Sequence, residues 1–222
     1  MYRSSEMREN EWKNRAFRKV FWNNKKTGNS HELIHLDVPL RLTFYWDPLL
    51  ALLPSYIASW MAGNSSKPTY LITAGTTLHF MQVTQLVYFA EGIEASSRLL
   101  FNHLKEISPL LEEFSKTTQI VFKLQDHLKV VSENEFMNRR LVDRGNQISY
   151  ELLPRSSNLT VWSSTVPLSD IYWEECRRRG SRVRHAPIWK CWNTRHLGFI
   201  MIDQFLDMFL NGVCCRFDNK GS

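Results

Sequence analysis

The stretch Gln119-Ile120-Val121-Phe122-Lys123-Leu124 decides the fold. Its run of β-branched and aromatic residues is typical of a strand that is covered on both faces. The sequence before it, residues 93–116, carries apolar residues at spacings of three and four, which predicts an amphipathic helix. Pro109 within that helix predicts a kink, or a new helix start after Ser108.

Working outward, the same alternation of short apolar runs and helical patterns covers most of the chain. We predict four strands, near residues 41–46, 69–74, 118–124 and 158–163. Besides 93–116, we predict helices over 6–20, 133–153 and 198–210. Strands that alternate with helices predict an α/β fold with three layers, in which a parallel sheet has helices on both faces.

The composition excludes several classes of protein. Apolar residues make up 43% and charged residues 23%, a globular balance that argues against general disorder. No apolar run reaches the roughly 18 to 20 residues that a membrane helix needs, so no span is predicted. The net charge of +6 is too small to predict a nucleic-acid partner. Residues 1–20 are highly charged and do not predict a signal peptide.

The cysteines, the glycosylation sequons and a basic run are further candidates for function. The spacing of Cys176, Cys191, Cys214 and Cys215 fits no C-x-x-C pair, which favours structural or disulfide roles over a metal site. Asn64 and Asn158 each begin an N-x-S/T sequon. Five arginines between Arg177 and Arg184 form either a solvated loop or a site for a phosphate or another anion.

Polar residues follow the predicted strands, where open α/β sheets bind their ligands. Gly75 and Thr76 form an ordinary turn, or their backbone approaches a substrate and helps to hold an oxyanion. Asp126 beside His127 forms an acid/base pair or a capped loop, since adjacent residues of an extended chain point apart. His196, before the last predicted helix, caps that helix or acts as a base.

Several segments follow one another in a characteristic order: 44–48, 74–77, 109–126, Val142-Asp143 with Asn146, His196-Leu197 and the closing Cys214-Cys215. Together they resemble the luminal SGNH-hydrolase-like (PC-esterase) domain of the sialate O-acetyltransferases, over roughly residues 40–215. The resemblance implies a three-layer, SGNH/flavodoxin-like parallel sheet whose first strand is largely missing. It implies an N-terminal charged segment over 1–40, a remnant of the first strand, elbow and helix, then a catalytic-type domain over 41–215 and a tail over 216–222.

The resemblance also implies a site and a reaction. The family uses a Ser-His-Asp triad, in which Ser5 would be the nucleophile, His196 the base, and Asn193 would stand where the family has Asp. Gly75, Thr76, Gln125 and Asp126 would hold the oxyanion or the substrate. Acetyl-CoA would be the acyl donor, with no bound cofactor, and a sialic acid, CMP-sialic acid or another glycan the acceptor. The setting would be the Golgi lumen, and the chain would be an N-terminally truncated version of a membrane-anchored protein.

Two other functions stay open. A catalytically degenerate relative would keep the scaffold and bind a glycan, and a carbohydrate esterase would use the same triad with water as the acceptor. Arg3-Ser4-Ser5 replaces the family's Gly-Asp-Ser, and Asn193 replaces its Asp. We therefore expect weak acetyl transfer by the chain as it stands.

Overall fold

A computed structural model describes residues 31–35, 40–44, 47, 49–63, 67–68, 70–73, 76–129, 138–153, 156–180, 186, 188–193 and 197–218. The chain divides after Leu52 into two compact units. In the first unit, strand β1 (His31–His35) pairs antiparallel with strand β2 (Leu40–Phe44), with Leu33 opposite Leu42.

Strand β2 corresponds to the strand predicted near 41–46, but its pairing differs from the prediction. We expected a place in the parallel sheet, and this is wrong: its hydrogen-bonded neighbour is β1, in a separate two-stranded sheet. The physical reason is the short connection, because only residues 36–39 separate the two strands. A connection of this length suits a hairpin, whereas parallel neighbours need a crossover of a dozen or more residues.

The second unit contains a three-stranded parallel sheet in the order β3-β4-β5. Its strands are β3 (Tyr70–Thr73), β4 (Gln119–Lys123) and β5 (Leu159–Trp162), which confirms the strands predicted near 69–74, 118–124 and 158–163. Ile120, Val121 and Phe122 are all buried. Since neighbouring residues of a strand face opposite sides, β4 is covered on both faces, as its continuous apolar run predicts.

Seven helices lie in the described part of this unit: α1 (Leu53–Met61), α2 (Thr76–Val83), α3 (Gln85–Glu91), α4 (Ile93–Ser115), α5 (Arg139–Leu152), α6 (Thr165–Arg179) and α7 (Phe199–Asp218). The helices predicted over 93–116, 133–153 and 198–210 correspond to α4, α5 and α7. Helix α4 is one element through Pro109, so the alternative of a second start after Ser108 is wrong. The Ser108 hydroxyl instead donates to the Leu152 carbonyl at 2.6 Å. The helix predicted over 6–20 lies outside the described residues.

Helices pack against the sheet and against one another. Helix α4 packs along α5. On β4 and β5, Lys123 and Trp162 are register partners and both meet α7: the Lys123 ammonium lies 5.1 Å from the ring centroid of Phe205, and the Trp162 ring lies 6.0 Å from that of Phe209. The prediction of an α/β fold built on a parallel sheet is thereby confirmed. Within the described residues, no helix is both long and apolar enough to cross a membrane.

A hydrophobic core lies between α6 and α7 and includes a disulfide bond between Cys176 and Cys191. This confirms the disulfide interpretation for these two cysteines, while the side chains of Cys214 and Cys215 lie outside the description. Tyr172 belongs to the same core and is 2% exposed. Its burial raises the pKa of the phenol to about 12, although the N–H that Gly198 donates to the phenol oxygen acts in the opposite direction.

The raised pKa of Tyr172 predicts a loss of stability in alkali. An unfolded tyrosine ionises near pH 10, whereas the folded chain keeps this proton up to about pH 12. The stability that Tyr172 contributes is therefore complete below about pH 10 and is lost as the pH rises towards 12, by an amount on the order of 2 kcal/mol. Urea unfolding at a series of alkaline pH values checks this, and the Tyr172→Phe chain should show a smaller slope. Equal slopes would contradict the prediction.

Candidate functional site

The carboxyl end of β4 carries a group of polar residues, at the edge where α/β sheets bind ligands. Lys123, the last residue of the strand, forms a 2.6 Å ion pair with Asp126, and both side chains are largely buried. The second carboxylate oxygen of Asp126, Oδ1, and the amide oxygen of Gln125, Oε1, are buried and have no hydrogen-bond partner in the structure as described. Buried polar atoms are rarely left unpaired, so these two acceptors are suited to a ligand or water that donates hydrogen bonds.

Helix α5 fixes the backbone at this point through one buried side chain. The Asn146 carboxamide accepts a hydrogen bond from the Gln125 N–H at 2.9 Å and donates one to the Gln125 carbonyl at 2.8 Å. Both main-chain groups of Gln125 are thus satisfied away from water, as buried backbone requires. The side chain of Gln125 is held at a defined place beyond the strand.

Two side chains of α6 form hydrogen bonds with the main chain of His127. The Ser169 hydroxyl accepts the His127 N–H at 2.9 Å, and the Trp173 indole N–H donates to the His127 carbonyl at 2.8 Å. Asp126 and His127 therefore bond to different partners, Lys123 for the carboxylate and α6 for the histidine backbone. This arrangement fits the interpretation as a loop with paired polar groups, and it does not form the acid/base pair that was the alternative.

The His127 ring lies between two carboxylates. Its Nδ1 is 2.8 Å from Asp170 Oδ1 and its Nε2 is 2.7 Å from Asp143 Oδ1, while the ring is 6% exposed. Neither ring nitrogen is free to take a proton from a nucleophile.

Arg139, at the start of α5, completes this ion cluster. Its guanidinium donates to both carboxylate oxygens of Asp170, at 3.1 and 3.0 Å, and its Nε lies 3.7 Å from Asp143 Oδ2. The Arg139 guanidinium and the His127 ring thus contact the same two carboxylates and join the loop after β4 to α5 and α6. Sequence reasoning did not connect these groups. The spacing of Arg139 and Asp143, four residues apart on a helix, was an available signal, whereas Asp170 carried none.

Removing the imidazole from this cluster is expected to destabilise the chain. His127→Ala leaves the two carboxylates to share Arg139 alone, and we expect a loss of about 1–3 kcal/mol of unfolding free energy, since the carboxylates are half-exposed. Urea unfolding near neutral pH measures the loss. His79→Ala is the matched control, because His79 is a half-buried helical histidine outside the cluster. If both variants lose the same stability, the cluster contributes nothing specific.

Two further predicted residues lie in described positions. Thr76 begins α2 beyond β3, and the register pairs Thr73 of β3 with Phe122 of β4. Thr76 and Gln125 therefore follow the same ends of neighbouring parallel strands. Asn193 lies in a turn in which its N–H donates to the Lys190 carbonyl at 2.9 Å. The same turn meets the loop after β4, because Lys129 Nζ donates to the Cys191 carbonyl at 3.1 Å.

The other predicted site residues are Ser5, Gly75, His196 and the sequon residue Asn64. All four lie outside the described residues, so their place relative to Gln125 and Asp126 stays a prediction. The Asn158 amide nitrogen donates to the Ser115 carbonyl at 2.9 Å, and its glycosylation also stays a prediction.

The basic run is largely paired within α6 where it is described. Arg177 bonds to Glu174, and Arg178 and Arg179 bond to Glu175. The hydrogen bonds from these two arginines lower the pKa of Glu175 to about 2. These three guanidinium groups thus fit a solvated helix end better than an anion site, while Arg182 and Arg184 lie outside the description.

The described residues contain no group of three or more His, Cys, Asp or Glu side chains that could hold a metal ion. Comparisons with models of protein families, with curated proteins and with solved structures found no match to this chain.

Proposed function

We propose that this chain is an acyl-transfer domain of the SGNH (PC-esterase) kind, which transfers acetyl groups to hydroxyls of sialic acid or another glycan. One observation carries the proposal. Gln125-Asp126 and Asp143 with Asn146 are separate parts of the resemblance to the sialate O-acetyltransferases, and they meet at the carboxyl end of β4 through the Asn146–Gln125 hydrogen bonds. The order β3-β4-β5 is also compatible with the 3-4-5 part of a flavodoxin-like sheet, 2-1-3-4-5.

In the proposed reaction, the Ser5 hydroxyl attacks the thioester carbonyl of acetyl-CoA, and His196 takes the hydroxyl proton. The carbon–sulfur bond breaks, the His196 proton goes to the sulfur, and CoA leaves as a thiol. A sugar hydroxyl then attacks the acetyl-serine, gives its proton to His196, and the serine oxygen leaves and regains that proton. The Gly75 and Thr76 amides stabilise the oxyanion in both halves. Acetyl-CoA is a substrate here, and the mechanism needs no bound cofactor.

The described residues have a role in binding the acceptor. Gln125 Oε1 and Asp126 Oδ1 are buried, unpaired acceptors, and sugars present many hydroxyl donors. A small opening of this edge would let them accept hydrogen bonds from the acceptor glycan and orient the hydroxyl that is acylated. The ion pair with Lys123 holds the Asp126 carboxylate in place.

The proposed setting is the lumen of the Golgi. The Cys176–Cys191 disulfide supports it, because structural disulfides persist in the oxidising compartments of the secretory pathway and are rare in the cytosol.

The test is acetyl transfer from radiolabelled acetyl-CoA to CMP-sialic acid by the purified chain. We expect slow transfer that Ser5→Ala and His196→Ala abolish, while Ser4→Ala, the matched neighbouring serine, leaves it unchanged. Release of acetate without acetylated sugar would identify an esterase instead. Transfer that survives Ser5→Ala would contradict the proposed nucleophile.

A second candidate is a catalytically degenerate relative that binds a glycan. One observation favours it: Asn193 stands in the position of the family's acid. Calorimetry with CMP-sialic acid discriminates between the candidates. Binding that Gln125→Ala and Asp126→Ala weaken, with no turnover in any variant, would favour the degenerate relative.

A further inference from the structure

The turn 188–193, which contains Asn193, and Gly198 are both attached to one side of α6. In the turn, Cys191 forms the disulfide bond with Cys176. Just before α7, the Gly198 N–H donates to the Tyr172 hydroxyl at 3.0 Å. Tyr172 and Cys176 are four residues apart on α6, so they lie one above the other on the same face of this helix.

The packing around these attachments is close. Tyr172, Cys176 and Cys191 are all buried in the same core. The Trp189 ring stacks on Tyr172 with 6.1 Å between centroids and an interplanar angle of 10°. At Gly198, a Cβ atom would lie 2.2 Å from the Trp189 carbonyl oxygen, so only glycine lets the chain approach the turn this closely. The position of Gly198 is therefore determined by backbone packing as well as by its hydrogen bond to Tyr172.

We propose that Tyr172 and Cys176 are positioning residues that hold Gly198 and the turn 188–193 against α6, and that the Cys176–Cys191 bond makes the attachment of the turn sensitive to redox state. Reduction by a dithiol breaks the sulfur–sulfur bond: the dithiol supplies two electrons and becomes a disulfide, and two protons complete the thiols of Cys176 and Cys191. The turn then keeps the Lys129 hydrogen bond to the Cys191 carbonyl, which cannot replace a covalent bond.

The inference rests on the proposed function only for its catalytic consequence. If His196 is the base, it lies in the sequence between the turn 188–193 and Gly198, the two places that α6 fixes. Reduction of the disulfide bond would release the turn 188–193. We expect this to lower kcat, because small displacements of a catalytic group are costly, and to leave the KM for acetyl-CoA unchanged.

Hydrogen exchange of the full-length chain tests the attachment without any assay of activity. In Cys176→Ser/Cys191→Ser, we expect the amides of Asn193 and Ile200, which donate to Lys190 and Ile188, to exchange at least about tenfold faster, with β4 amides unchanged. Unchanged exchange at Asn193 and Ile200, or acceleration that is equal in β4, would overturn the inference.

A second variant covers the case in which the cysteine variant does not fold. Tyr172→Phe keeps the ring and removes only the hydroxyl, so we expect faster exchange at Gly198 with the disulfide intact. Tyr150→Phe, an exposed tyrosine on α5, is the matched control and should change nothing at Gly198. Equal exchange at Gly198 in both variants would overturn the role of Tyr172.

Activity then separates the two proposals. In a chain that transfers acetyl groups, Tyr172→Phe should lower kcat about tenfold at constant KM, whereas Tyr150→Phe should not. If no variant transfers acetyl groups but exchange accelerates as expected, the proposed function fails and the attachment stands. If exchange does not change, the attachment fails whatever the activity.

Discussion

Replacing Asn193 by aspartate is expected to raise kcat for acetyl transfer by as much as about 10⁴-fold. In a Ser-His-Asp triad, the carboxylate accepts the Nδ1 proton of the histidine and stabilises the imidazolium that forms. An asparagine amide can present an N–H instead, which favours the wrong tautomer of the base. The measurement is the initial rate of transfer from acetyl-CoA to CMP-sialic acid, for Asn193→Asp beside the unmodified chain.

Two variants complete this experiment. Asn193→Ala removes the amide without supplying a carboxylate, so it should not reproduce the gain. Ser5→Ala placed in the Asn193→Asp background should abolish the gain, which would assign both residues to one site. Efficient turnover by the unmodified chain that persists after Ser5→Ala would show that the triad and the expectation of weak activity are both mistaken.

The second large effect is on stability. Asn146→Ala is expected to lower the free energy of unfolding by roughly 2–6 kcal/mol, because it leaves the N–H and the carbonyl of Gln125 buried without partners, at about 1–3 kcal/mol for each. Urea unfolding of the purified chain measures the loss. Gln147→Ala, on the exposed side of the same helix, should stay within about 0.5 kcal/mol of the unmodified chain. Similar values for the two variants would show that the Asn146–Gln125 pair is not essential for stability.

The parallel strands could be predicted because their burial determines which types of residue they contain. A strand covered on both faces needs an unbroken apolar run, and residues 120–122 form one. The pairing of residues 40–44 could not be predicted in the same way, since an apolar run indicates a strand but not its neighbour. The length of the connection to β1 decides that pairing, and β1 itself, His-Glu-Leu-Ile-His, has too little apolar character to be recognised.

The candidate site was predictable in part, for a related reason. Gln125 and Asp126 follow a recognisable strand, and strand ends in an α/β fold are where ligand-binding residues collect. The partners of His127 come from two helices at long sequence separation, and nothing in the sequence near Asp170 distinguishes it from an ordinary surface carboxylate. The choice of Cys176 and Cys191 as disulfide partners depends on tertiary distance, which four cysteines in a sequence do not reveal.

The strand order β3-β4-β5 has a consequence for how the chain folds during its synthesis. Strands β4 and β5 each pair with the strand synthesised just before them, so β4 can add to β3, and β5 to β4, while the rest of the chain is still being made. Each addition must wait for its crossover helices, and such non-local parallel pairing is intrinsically slow. Helix α7, which packs against Trp162, is synthesised after all three strands. Nascent chains that end before α7 would therefore expose the apolar surface around Trp162, and this is the stage at which we expect a chaperone to be needed.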